Sequence, residues 1–349
     1  RLSVSSEPGS ITFSLQTTRN NLPRALELLR LILREPALAD TELEILKQQY
    51  IASLEEQLKQ PQALALRAVR RQLNPYPAND VRYIPTIEEE IARIRALKID
   101  TIRQLYKEFI GGNAGELALV GDFDPSSTVT LLAALVSDWK APQPYVRIPR
   151  PALDTKPGHV VIHTPDKANA IYVAGLVFPL SDSDPDYAAL VLGDYILGNS
   201  SLSSRLGDRI REKEGLSYGV GSRFSASALD KRASFLIYAI YNPQNRERVE
   251  TLIREEIEKL RKEGVTEEEV RRAKKGWIEQ QRVARTNDGT LASLLAELAH
   301  EGRTMHYYQD LEKQIAELTA KQVHEAIRQY LVPEKLYIVV AGDFPQSTK

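Results

Sequence analysis

The sequence predicts an α+β protein made of two tandem copies of one unit, each a mostly antiparallel sheet with helices on one face. Three observations predict it. An apolar run closed by Gly-Asp-Phe occurs at residues 117–123 (LALVGDF) and again at 338–344 (IVVAGDF), 221 residues apart. A Thr-Glu-x-Glu start opens a helical pattern at Thr41 and another at Thr266, 225 residues apart. Each reads as a capping box, with Thr accepting from the third helical amide and Glu reaching back to the cap amide. Ahead of each box, an alternating stretch (10–17 and 234–241) leads into an amphipathic run (22–34 and 246–262). Alternation points to strands and the 3.6-residue period to helices.

The repeat is unequal. The second copy runs from about residue 157 to the C-terminus, and its front half, about 157–223, has no counterpart in the first copy. The first copy begins at a position equivalent to about residue 225. A domain should not begin within a sheet, and position 1 is Arg with no secretory leader after it, so the chain reads as a piece of something longer. Residues 1–140 form the truncated copy, 141–156 a linker and 157–349 the complete copy. The linker region carries prolines at 142, 144, 149, 151 and 157, which make it stiff and extended.

In the second copy, 159–164 and 170–178 are strands. A helix spans 185–197, opened by Asp184-Pro185 and closed by Gly198. A second helix spans 201–214 and ends at Gly215. Residues 217–227 and 233–241 pair as antiparallel strands. Helices fill 246–262 and 266–286, with further helices to Tyr330, and a last strand spans 335–342.

Composition excludes several classes. The chain has 349 residues, 42% hydrophobic and 27% charged, which is about two ordinary soluble domains. No apolar run is long enough for a membrane span. Lys and Arg number 46 against 47 Asp and Glu, a net charge of −1, so no large cationic face is available for nucleic acid. Without cysteine there is no disulfide, thiol nucleophile or Cys-ligated zinc.

The motifs for catalysis are mostly absent. A helical His-Glu-x-x-His zinc motif starting at His300 or His324 would need His at 304 or 328, where Thr304 and Arg328 stand. His159 and His163 lie on a strand, where four residues span about 13 Å, too far for one metal. His-x-x-Glu-His does not occur. Gly111-Gly112-Asn113 is a turn between a helix and the strand that ends at Gly121-Asp122-Phe123, and the charged runs at 88–90 and 271–275 are solvated helix faces. The informative segment is 198–222, GNSSLSSRLGDRIREKEGLSYGVGS. Arg211 lies near its helix end and Tyr218 at its strand start, among glycines that allow close approach by a backbone or a ligand. Two readings stand: a salt bridge with a half-buried Tyr, or a guanidinium and a phenol that both reach a peptide carbonyl.

Ser203-Ser204-Arg205-Leu206 followed by Ile210-Arg211-Glu-Lys-Glu-Gly-Leu-Ser-Tyr218 resembles the insulinase-like (pitrilysin, M16) zinc metallopeptidases and their mitochondrial processing peptidase relatives. The resemblance extends to the repeat of roughly 220 residues, the Thr-Glu helix starts and the Gly-Asp-Phe ends. It implies four such domains closing as two bowls around a peptide, with zinc held by His-x-x-Glu-His and a distant Glu in the first domain. By the same resemblance the second copy is the last domain. Arg211 would hold a substrate carbonyl, and Tyr218 would donate to the carbonyl that becomes an oxyanion. Ser53, with Glu55 and Glu56 beside it, stands roughly where the family has its third zinc ligand. The first copy is then the tail of a third domain, or of the inactive first domain of a partner subunit. Zinc is expected on an N-terminal half or a catalytic partner, not on this segment, which alone should be inactive. The rival reading is a non-catalytic scaffold of the kind found among respiratory-complex core subunits. The compartment is open between bacterial periplasm and cytoplasm, with a lean to the periplasm.

Overall fold

The computed structural model describes residues 1–200 and 203–344. The first two residues of the helix expected over 201–214 lie outside the described residues. The first copy contains β1 (Leu2–Glu7), β2 (Ser10–Leu15), α1 (Leu22–Arg34), α2 (Asp40–Gln57), α3 (Pro61–Gln72), α4 (Ile87–Ala96), α5 (Ile99–Phe109) and α6 (Pro125–Val136). The second contains β3 (Gly158–His163), β4 (Ala170–Phe178), α7 (Tyr187–Asp194), β5 (Ser217–Ala226), β6 (Ala233–Tyr241), α8 (Arg246–Glu263), α9 (Glu267–Ala284), α10 (Asp288–His300), α11 (His306–Glu317), α12 (Ala320–Tyr330) and β7 (Tyr337–Gly342).

The chain divides into two units that interleave in sequence. One is Arg1–Ser53, Glu89–Ile148 and Val283–Met305; the other is Leu54–Glu88, Pro149–Arg282 and His306–Lys349. Each unit therefore takes a helical segment from the other copy: α3 belongs to the unit of the second copy and α10 to the unit of the first. These two helices occupy equivalent places, each following the long helix that begins at a Thr-Glu motif.

In the first unit β1 and β2 form an antiparallel hairpin. Leu22, Leu26 and Leu29 make one stripe of α1 and pack with Leu135 of α6, joined by Phe13, Leu15 and Phe123. Two expectations fail here. Residues 117–120 form no strand among the described residues. Their counterpart β7 is held between β3 and β4, and the first copy supplies no such neighbours. Phe123 nonetheless lies against the helical core, as Phe344 does in the second unit. The capping box at Thr41 is also not formed: α2 begins one residue earlier, at Asp40, and Glu44 pairs with Lys47 at 2.8 Å.

The second unit is built on a five-stranded sheet, order β3-β7-β4-β6-β5, antiparallel except for β3 with β7. Tyr172, Ala174 and Leu176 of β4, with Phe235, Ile237 and Ala239 of β6, face a core filled by Leu252, Ile253 and Ile257 of α8 and Val323 and Ile327 of α12. The opposite face is covered too. Ile171, Val173, Val339 and Ala341 pack under Ala65 and Val69 of α3 and Leu73 at its end, a stripe with four-residue spacing. Helices on one face only, as expected, would have left those positions wet. The sequence of β4, AIYVAGLVF, already lacks the alternation of a half-exposed strand.

Asp194, 1% exposed at the end of α7, ties this helix to the edge strand β5. It accepts from Ser222 Oγ at 2.6 Å and from the Phe224 N–H at 2.9 Å. Loss of water on burial pushes its carboxyl up from an ordinary 3.8 to about 6, against the pull of these donors. The folded state thus holds a proton that the unfolded chain releases between about pH 6 and 4. This group's contribution to stability is therefore present at low pH and lost as pH rises through 6, a difference of up to about 3 kcal/mol.

Two outcomes are expected. Val69→Ala should lower the unfolding free energy of the second unit by about 2 kcal/mol in chemical denaturation; an unchanged midpoint would mean that α3 does not seal the sheet. Asp194→Asn keeps an acceptor for Phe224 and a donor for Ser222 without the charge. Its thermal midpoint should exceed wild type at pH 8, and the gap should close between pH 6 and 4. A gap independent of pH would show that Asp194 carries no such proton.

Candidate functional site

The segment singled out in the sequence folds as a corner. Residues 195–199 and 207–213 wind as π-helices, the wider turn that often marks functional sites. Leu206 and Ile210 are fully buried and fix which side of the second π-helix faces the core. Ser203 Oγ donates to Asp208 Oδ2 at 3.0 Å, and the Gly207 N–H donates to Ser204 Oγ at 3.2 Å. At the far end the Gly215 N–H returns to the Arg211 carbonyl at 3.2 Å and the Leu216 N–H to the Ile210 carbonyl at 3.0 Å. Gly215 has φ of +65°, so the helix closes at the glycine that the sequence marks as its end.

Arg205 anchors the corner to the helical layer. Its Nε and Nη2 lie 2.7 and 2.9 Å from the two carboxylate oxygens of Glu269, and Nη2 also donates to the Gly264 carbonyl at 2.7 Å. Glu269 at the same time accepts from the Thr266 N–H at 2.8 Å, while Thr266 Oγ1 accepts from the Glu269 N–H at 3.2 Å. The capping box at Thr266 is therefore complete, and its Glu doubles as the counter-ion of Arg205. Burial alone would raise the Glu269 carboxyl, but the hydrogen bonds from Arg205 and Thr266 outweigh it and hold it at about 2. The two sequence motifs meet in one ion pair.

Tyr218 stands where β5 loses register with β6. Ser217 lies opposite Tyr241 and Gly219 opposite Ile240, so Tyr218 is the extra residue of a β-bulge. Bulges re-aim side chains and recur beside active sites. Tyr218 is 74% exposed, and its hydroxyl has no hydrogen-bond partner among the described residues. The expectation of a half-buried Tyr does not hold. The glycines behave differently from one another. Gly221 and Gly198 allow the π-helix over 195–199 to approach the strand, and a Cβ on Gly198 would fall 2.3 Å from the Ser222 nitrogen. Beside Tyr218, a Cβ on Gly219 would meet nothing within 4 Å.

Arg211 and Tyr218 thus occupy the two arms of one corner, joined by the hydrogen bond between Leu216 and Ile210. The Arg211 side chain is 46% exposed, and its Nε lies 2.8 Å from Glu212, its neighbour in sequence. Such an exposed pair adds little stability and leaves the guanidinium available to another acceptor. Glu214, also close in sequence, is engaged elsewhere, 3.1 Å from Arg248 and 3.4 Å from Arg209.

The histidines are dispersed. His159 lies 2.6 Å from Glu250, His163 3.9 Å from Asp343, and His300 3.2 Å from Glu116, while His324 lies 2.8 Å from the Arg261 carbonyl. Among the described residues no three His, Asp or Glu side chains gather as metal ligands. Two residues that shape the corner went unnoticed in the sequence. Asp194 had a signal, a lone carboxylate in an apolar helix; Ser217 had none beyond its place at a strand start.

A family model described as the peptidase M16 inactive domain matches residues 96–276, just over half of the chain. No functionally curated protein matches it in sequence. Among solved structures the chain is similar to the peptidase M16 inactive domain from Pseudomonas fluorescens, at 21% identity and a TM-score of 0.81, covering 99% of this chain and 81% of that one. It is similar to complex III2 from Candida albicans with Inz-5 bound, at 18% identity and a TM-score of 0.74, over 98% of this chain and 81% of that one. It is also similar to the periplasmic protease PqqL from Escherichia coli, at 17% identity and a TM-score of 0.72, over 99% of this chain but 37% of that one. At these identities the likeness carries the fold, and the matched family model carries the assignment: the chain belongs to the peptidase M16 inactive domain family.

Proposed function

We propose that this chain is the substrate-clamping, chamber-closing part of an M16-like zinc endopeptidase that hydrolyses peptides. Its zinc, metal ligands and general base belong to another part of the polypeptide or to a catalytic partner subunit. The observation that carries the reading is Tyr218, a phenol held out on a bulge with no hydrogen-bond partner among the described residues, where a folded core gains nothing from it. In this reading Tyr218 donates its O–H to the peptide carbonyl whose oxygen gains negative charge. A fixed donor of this kind is worth about 3 kcal/mol in the transition state. Arg211 leaves Glu212 to hold a neighbouring carbonyl and so sets the peptide's register.

The rival reading, a non-catalytic scaffold or core subunit, draws on the likeness to complex III2 and on the description of the family as inactive. An exposed Arg and Tyr at one structured corner favours the clamp. Among the described residues no helix is long and apolar enough to cross a membrane. The likeness to a protease described as periplasmic supports the lean to a bacterial periplasm.

In the assembled peptidase, Tyr218→Phe should lower kcat about 100-fold with KM nearly unchanged, since the lost bond strengthens only in the transition state. Peptide turnover at the wild-type rate would remove the clamp role and leave the scaffold.

A further inference from the structure

We infer that Ser217 is the positioning residue of this site: its hydroxyl locks the β-bulge that presents Tyr218. The inference rests on the reading of Tyr218 as the hydrogen-bond donor to substrate.

Ser217 is 8% exposed, directly ahead of a residue that is 74% exposed. Its Oγ accepts from the Gly219 N–H at 3.1 Å and lies 2.8 Å from both the Gly219 and the Ile240 carbonyls, to one of which it donates. It therefore bridges the two sides of the bulge. The Gly219 end is held on β5 itself, and the Ile240 end on β6. An inserted residue leaves ladder groups without their usual partners. Here one side chain satisfies a donor and an acceptor that the slip in register sets free.

Gly219 offers Tyr218 no side chain to pack against, and a Cβ there would meet nothing within 4 Å beyond its chain neighbours. Beyond Gly219, β5 is fixed by Asp194 at Ser222 and Phe224 and by the approach of Gly198 at Gly221. Before Ser217, the corner is fixed by the Leu216–Ile210 hydrogen bond. Ser217 is thus the tie between two clamped segments, at the point where the exposed ring departs. Without its hydroxyl the bulge can relax toward a regular pairing, which turns the following side chain to the other face of the sheet.

A double-mutant cycle in the assembled peptidase tests this, using Ser217→Ala, Tyr218→Phe and both together, with kcat and KM measured on one peptide. Ser217→Ala is expected to lower kcat at least tenfold with KM unchanged. It is expected to cause no further loss in the Tyr218→Phe background, because it acts through that hydroxyl. Ser217→Thr, which keeps the hydroxyl, should restore kcat. If Ser217→Ala does not fold, Ser217→Cys takes its place, since a thiol keeps the volume but bonds weakly. Equal losses in both backgrounds would overturn the inference, because Ser217 would then act elsewhere. So would a loss of kcat for Tyr218→Phe with none for Ser217→Ala, an outcome that leaves the role of Tyr218 intact. No loss for Tyr218→Phe would overturn both.

Discussion

The fork of Arg205 on Glu269 is the contact on which the site's geometry depends. A guanidinium that is 13% exposed meets a carboxylate that is 19% exposed, with two short parallel bonds. Neither group could be left in that environment alone, because an unpaired charge there would lose its hydration without compensation. The same carboxylate closes the start of α9 through Thr266. This ion pair joins the π-helical corner to α9, alongside the longer pairs of Glu214 with Arg248 and of Arg209 with Glu255 on α8. With one arm of the corner fixed this way, and the strand fixed by Asp194, the exposed residues Arg211 and Tyr218 are carried on a frame that does not depend on their own contacts.

That separation matters for chemistry. Groups that meet a substrate must keep unsatisfied hydrogen-bonding capacity, so they cannot be held by the bonds they are meant to offer. Here the holding is done by buried neighbours: Leu206 at the start of the π-helix and Ile210 within it, Ser217 in the bulge, and Asp194 behind β5. The π-helical winding and the bulge are both departures from regular geometry, and they fall within the same stretch of chain. Fold irregularities gathered at one exposed corner fit a site better than a passive wall.

Much of this was legible from residue order, for identifiable reasons. β4 matches its expected limits because nine apolar residues between turn signals admit few alternatives, and β5 and β6 pair as the alternation requires. The box at Thr266 formed because its Glu also had a buried cation to meet. The one at Thr41 did not: α2 starts ahead of Thr41, and the largely exposed Glu44 pairs with Lys47 on its own helix instead. Residues 117–120 show the same dependence on partners. The equivalent run β7 lies between β3 and β4, whereas 117–120 pair with no strand among the described residues. The exchange of α3 and α10 between units was hidden for another reason. Periodicity tells which face of a helix is apolar, but not which sheet it covers. π-Winding likewise has no composition of its own, and the bulge at Tyr218 is a matter of register between strands rather than of local sequence. What residue order did preserve was the Arg and Tyr seven positions apart, which the fold sets on adjoining arms of one corner.

The most direct measurement replaces Tyr218 with a photo-crosslinking amino acid in the assembled peptidase and irradiates it with a bound peptide substrate. The account predicts a covalent adduct between this chain and the peptide, competed away by excess unlabelled peptide. Crosslinks only to neighbouring protein, with the peptide bound but never captured, would contradict it.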